Sequence, residues 1–140
     1  MRNSKQLVAH LSRRAGFGAT PNEIDELEKL GYENVVEKFL NPENHPEIDL
    51  LKLFRYHPII ERPVLIWQSQ FWWLYHMVNS QRPLEEKIAL FWHHVFATGE
   101  SKVESPLDLT EQIILFKKNG LGNFKNLLIE VSKNPAMLFW

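Results

Sequence analysis

"VLIWQSQFWWLYHMVNSQ", residues Val64 to Gln81, carries no formal charge and lies between Arg62 and Arg82. Whether it spans a membrane or packs inside a protein decides the fold. A spanning helix needs about 20 consecutive, mostly apolar residues. This run is interrupted by Gln68, Ser69, Gln70, His76, Asn79, Ser80 and Gln81, side chains that are costly in lipid. It is therefore read as a buried core helix over about 63–79, with no membrane span.

The neighbouring segments carry the same helical punctuation. Pro83 opens the next helix, which contains "EKIALFWHHVFATG", Glu86 to Gly99. The segment Gly99 to Ser105 reads as a polar loop, and Pro106 starts another helix running to Asn119-Gly120. "GNFKNLLIEVSK" is amphipathic, with Phe124, Leu127, Leu128 and Val131 on one side. Towards the start, residues 4–15 form a short helix that Gly16 ends as a left-handed cap, with Phe17 folding back. Thr20-Pro21-Asn22-Glu23 predicts a capping box with Pro at the first helical position, and Gly31 stops that helix. A helix with Val35, Val36, Phe39 and Leu40 on its apolar face follows, then the turn-rich "NPENHPEI" and a short helix over Leu50–Tyr56.

No run shows sustained strand alternation between hairpin turns, so the fold class is all-α. The expected architecture is an irregular array of about six to eight helices, between orthogonal and bundle packing, around a Trp/Phe-rich core. Trp67, Trp72, Trp73 and Trp92, with Phe71, Phe91 and Phe96, supply that core. The last residues, Asn134 to Trp140, read as a capped helix cut short after "AMLFW", so the chain is expected to be one helical segment truncated at its C-terminus, the N-terminal part of a larger protein. Its own C-terminal continuation is then the first expected partner, and a second protein the next.

Composition narrows the function classes. At 140 residues, 44% hydrophobic and 24% charged, the chain has the makeup of an ordinary globular domain. A net charge of -1 argues against bulk electrostatic binding of nucleic acid. The chain has no cysteine, which excludes disulfides, thiolate zinc sites and a cysteine nucleophile. The N-terminus shows no apolar leader segment, so a cytoplasmic location is expected. Charge is uneven: residues 20–50 hold nine acids against Lys29 and Lys38, read as a solvated acidic helix pair beside a basic first helix.

The adjacent pair His93 and His94 is the most conspicuous candidate chemistry. A metal pair on one helix needs ligands three or four residues apart. Ala89 and Leu90 precede His93 at those distances, and Leu90 and Phe91 precede His94. Glu86 shares the face of His93 but lies about 10.5 Å away along the axis. No metal site is assigned, and no cofactor. If the helices at 63–79 and 84–98 form an antiparallel hairpin, His76 falls near Glu86 and Lys87, and His93 near Gln70 and Trp67; these neighbours suit hydrogen-bonded core histidines. "RRAGFGATP" lacks the Lys-Ser/Thr ending of a phosphate loop, and no G-x-S-x-G elbow is present.

Four blocks in order, "HLSRRAGFGATP", "PLEEKIALFWHHVFATG" followed by "SKV", "GNFKNLLIEVSK" and "NPAML", resemble the start of the bacterial family known as domain of unknown function 1800. The resemblance maps the family's strongest positions to Arg14, Gly16, Phe17 and Gly18, then to Glu86, Lys87, Phe91, Trp92, His93, Phe96 and Thr98, with Lys102 and Val103 beyond. It implies a longer bacterial protein and supplies no reaction. Family members commonly carry a second His two residues after the Trp-His histidine, where this chain has Val95.

The leading expectation is a helical scaffold or interaction module. The alternative is part of a hydrolase-like or metal-dependent active site completed by residues beyond this chain. In that alternative His93, Glu86 and Lys87 are the catalytic candidates, and Arg14, Lys102 and Trp92 the binding candidates.

Overall fold

The computed structural model describes residues 4–140. Ten α-helices follow one another among the described residues, with no strand: α1 (Ser4–Ala15), α2 (Pro21–Leu30), α3 (Tyr32–Leu40), α4 (Leu50–Tyr56), α5 (Ile66–Asn79), α6 (Pro83–Phe96), α7 (Glu100–Val103), α8 (Pro106–Asn119), α9 (Phe124–Lys133) and α10 (Pro135–Phe139). Eight have seven residues or more, and single 3-10 turns at Pro42–Asn44 and Pro58–Ile60 flank α4. The all-α class and the helical array are as the sequence predicts. No described helix is long and apolar enough to cross a membrane.

Local chemistry sets most of the boundaries. Thr20 and Glu23 form the expected reciprocal capping box at α2, and Gly31 adopts φ 82° where that chain segment turns into α3. Ser105, Asn123 and Asn134 cap α8, α9 and α10 through their side chains. The start of α5 is delayed to Ile66 because the Gln68 side-chain oxygen accepts from the backbone N–H groups of Val64 (2.7 Å) and Leu65 (2.9 Å). That bond holds residues 64 and 65 ahead of the helix.

Two local expectations are corrected. Gly16 is not the left-handed residue after α1; Gly18 is, at φ 108°. Gly16 is needed for another reason: a Cβ there would stand 3.0 Å from the Pro83 ring at the start of α6. Phe17 lies under the Lys87 ammonium of α6, 4.9 Å from its ring centre. Finally, the Gly99–Ser105 segment contains the one-turn helix α7, closed by Glu104 at φ 52°.

The main core gathers Leu53, Ile60, Trp72, Trp73, Ala89, Ile113, Phe116, Leu127 and Val131 from α4, the Pro58–Ile60 turn, α5, α6, α8 and α9. Here α6 packs mainly against α8, and only secondarily against its sequence neighbour α5. Trp92 and Phe96 stack at its edge, 5.9 Å between ring centres. Trp67, Phe71 and Phe91, expected in the same cluster, are largely exposed instead. They sit on the sides of α5 and α6 turned away from α8. A smaller cluster of Ala15, Val35 and Phe39 joins α1 and α3 to Leu84 of α6.

Candidate functional site

α6 brings Glu86 into the centre of the array. The residue is fully buried, on the face it shares with Ala89. Opposite it, Lys117 comes from the last turn of α8, where it follows Ile113 by four residues and so lies over the same apolar face. Its Nζ approaches Glu86 Oε1 to 2.6 Å. The pair is tight by distance but poorly aligned for hydrogen bonding, so both Glu86 oxygens lack a well-directed donor. Burial pushes the Glu86 carboxyl above its ordinary range, and Lys117 and the Trp73 indole N–H pull only partly the other way.

Two histidines pack against the α5 tryptophans beside this pair. His93 meets Trp73 edge-on, 5.3 Å between ring centres, and its Nδ1 is buried with no hydrogen-bond partner. Its pKa is lowered by burial, with no charged group contributing. His76 is buried against Trp72 (4.1 Å between ring centres), and its Nδ1 lies 2.8 Å from the Trp72 carbonyl. A carbonyl only accepts, so that nitrogen carries the proton. Burial first, and the Lys117 charge second, lower the His76 pKa to about 4. His93 faces Trp73, and His76 senses Lys117. The first is a contact between α6 and α5, and the second comes from α8, the principal partner of α6.

A cleft of about 460 Å³ opens beside this centre. Trp72, His76 and Lys117 form its inner wall, and Arg82, Glu85 and Glu47 part of its rim. Arg82 is already engaged: its Nε donates to the His45 carbonyl (2.8 Å) and Nη1 to Glu47 (3.2 Å), with Glu85 at 3.9 Å. Burial also raises the Glu85 carboxyl. Glu86 and His93 do not line the cleft.

The remaining candidates are scattered. Lys87 covers Phe17, and Lys102 covers the Trp140 ring at 4.7 Å. Trp92 donates its indole N–H to the Gly120 carbonyl at 2.9 Å, joining α6 to the end of α8. Arg14 is exposed in the last turn of α1. Of the six named candidates, only Glu86 and His93 come together, through Trp73. Sequence reasoning passed over Lys117. Its signal was a lysine on the apolar stripe of Leu109, Ile113 and Phe116, where a buried ammonium demands a buried acid. Among the described residues, no three His, Asp or Glu side chains gather closely enough to hold a metal ion.

A second buried polar system ties the far end of α8. Thr98 donates to the Gln112 side-chain oxygen, and Gln112 donates to the Asn134 oxygen at 3.3 Å. Asn134 in turn caps α10 through the Ala136 N–H at 3.1 Å. Every link is a side chain holding two helices or a helix and a loop.

No curated protein and no solved structure matches the chain. The family described as protein of unknown function (DUF1800) matches residues 10–140, through both histidines and all of α2 to α10, and the chain belongs to that family.

Proposed function

We propose that this chain is a helical scaffold and interaction module rather than a catalytic unit. What supports the reading above all is the placement of Glu86 and His93: Glu86 is fully buried, the half-buried His93 has its Nδ1 buried, and neither residue lines the cleft. A general acid or base must come within hydrogen-bond reach of its substrate. The low pKa of His93 has burial as its cause, with no charged partner of the kind that tunes a catalytic base. The same residues fit a structural role, because a buried ion pair and a buried amide chain fix which helix faces meet.

The test compares stability with binding. Glu86→Gln and His93→Phe variants should fold with the wild-type helical content and keep whatever partner the wild type takes from its native host. Loss of partner binding in a fully folded Glu86→Gln protein would place Glu86 in a working site and sink the reading.

One observation favours a second reading, in which the centre is part of a hydrolase-like or metal-dependent site completed from outside the described residues. The His93 Nδ1 is buried and unpartnered, an arrangement that costs free energy unless something binds it. Elemental analysis of protein purified without added metal decides the metal form of it. A transition metal near one equivalent, lost in His93→Ala, supports that reading, and a metal-free protein removes it.

A further inference from the structure

The outward face of α5 carries a largely exposed apolar row, touched among the described residues by the His57 ring at Phe71, 5.4 Å between ring centres. Trp67 is 49% exposed, Phe71 39%, Leu74 59% and Val78 80%. These residues follow one another at steps of four, three and four. At 100° per residue they fall within an arc of about 60°, a narrow seam about 16 Å long. Val64 and Leu65, just before the helix, extend the exposed apolar surface.

Three features identify what this seam fits. First, the spacing reads identically from either end. A twofold axis beside the Trp72–Trp73 peptide bond, perpendicular to the helix, maps Trp67 onto Val78 and Phe71 onto Leu74. Each large ring then meets a smaller aliphatic side chain, the large-against-small alternation that interdigitating helices need. Secondly, the stretch from Pro63 to Gln81 has no charged residue. It has nothing to complement a charged partner, and two copies approach without like-charge repulsion. Thirdly, the six side chains together expose on the order of 600 Å², at the upper end of the largest apolar patch on an ordinary monomer and most of the roughly 800 Å² per partner of a standard interface.

On this basis the geometry points to a second copy of this chain as the occupant: two α5 helices pair antiparallel about a twofold axis, making the protein a homodimer through an isologous interface. This inference rests on the interaction-module reading and names its partner. It places the Glu86–Lys117 centres of the two copies on opposite sides of the dimer, behind the paired helices.

Light scattering after size-exclusion chromatography, on the 140-residue chain at micromolar concentrations, tests it. The expected mass is twice the 16.6 kDa of one chain, returning to one chain in Leu74→Glu. That side chain is exposed, so the variant keeps the helical circular dichroism of the wild type. The lack of native cysteine allows an independent check. Under mild oxidation a Phe71→Cys, Leu74→Cys double variant should give a covalent dimer, and Leu128→Cys on α9 should not. A monomer throughout, or a dimer that Leu74→Glu leaves intact, overturns the pairing, as does a monomer that binds neutral lipid vesicles through this face. None of these outcomes touches the scaffold reading of the core, which the stability of the Glu86 and His93 variants decides separately.

Discussion

His93 is worth most as a test at the scale of single residues, because its ring fills space while its Nδ1 goes unpaired. Replacing an unsatisfied buried polar group by an apolar one of similar shape is close to neutral. His93→Phe, which keeps an edge-on contact with Trp73, should stay within about 1 kcal/mol of wild type in urea unfolding. His93→Ala should lose about 1–3 kcal/mol through the space it leaves. If the phenylalanine variant proved as unstable as the alanine one, the imidazole would be making a bond that the packing does not reveal. His76 makes a different prediction, about acid. Its folded pKa of about 4 lies below the ordinary value of 6.5, so between those limits the unfolded chain binds the extra proton. The contribution of His76 is fully present above pH 6.5 and drains away as the pH falls towards 4. It is worth on the order of 2–3 kcal/mol. His93 acts in the same direction. The raised carboxyls of Glu85 and Glu86 act against it, since protonating them relieves a burial cost. Comparing the pH dependence of unfolding in wild type and His76→Gln isolates the histidine: the variant should show a visibly shallower loss between pH 6.5 and 4. Parallel curves would mean that His76 is not buried in its neutral form.

At the scale of elements, boundaries written in side-chain chemistry were readable and those written in packing were not. The α2 capping box and the Pro-led starts of α6, α8 and α10 follow from residues a few positions apart. The left-handed turn ending α6 falls on Ala97, at φ 42°, where no glycine announces it, and α7 is a single turn wedged under α8 and α10. Gly16 illustrates the same limit. Its proximity to helix α1 suggested a cap, whereas contact with distant Pro83 is what requires the missing side chain. Gly120 is a second such position. Its backbone is ordinary right-handed, yet a Cβ would crowd the Phe116 carbonyl and come within 2.8 Å of the Trp92 ring and 2.9 Å of Ile88. Gly120→Ala should therefore destabilise by about 1–3 kcal/mol, despite alanine's better helix propensity, because it wedges α6 from α8. Thermal unfolding checks the sign; a stabilised variant would show that the α6–α8 contact is looser than these distances.

At the scale of the whole molecule, the class of fold was legible because the apolar spacing is helical throughout, whereas the arrangement of the helices was not. Nothing local says that α6 prefers α8 to α5. That preference gives Glu86 its partner Lys117, while His93 meets Trp73 of α5 and Trp67, Phe71 and Phe91 stay exposed. Half of the central site was therefore visible as Glu86 and His93, and the other half waited on which helix packs beside them. On the scaffold reading, the Glu86–Lys117 pair is a structural lock at the junction of α6 and α8. Urea unfolding of Lys117→Met, Glu86→Gln and the double variant tests this most directly. Lys117→Met alone strands a buried carboxylate and should lose about 3–5 kcal/mol, and adding Glu86→Gln should restore most of that loss. Two small and additive losses, with Lys117→Met as stable as wild type, would show that the pair does not hold the core and would contradict the account.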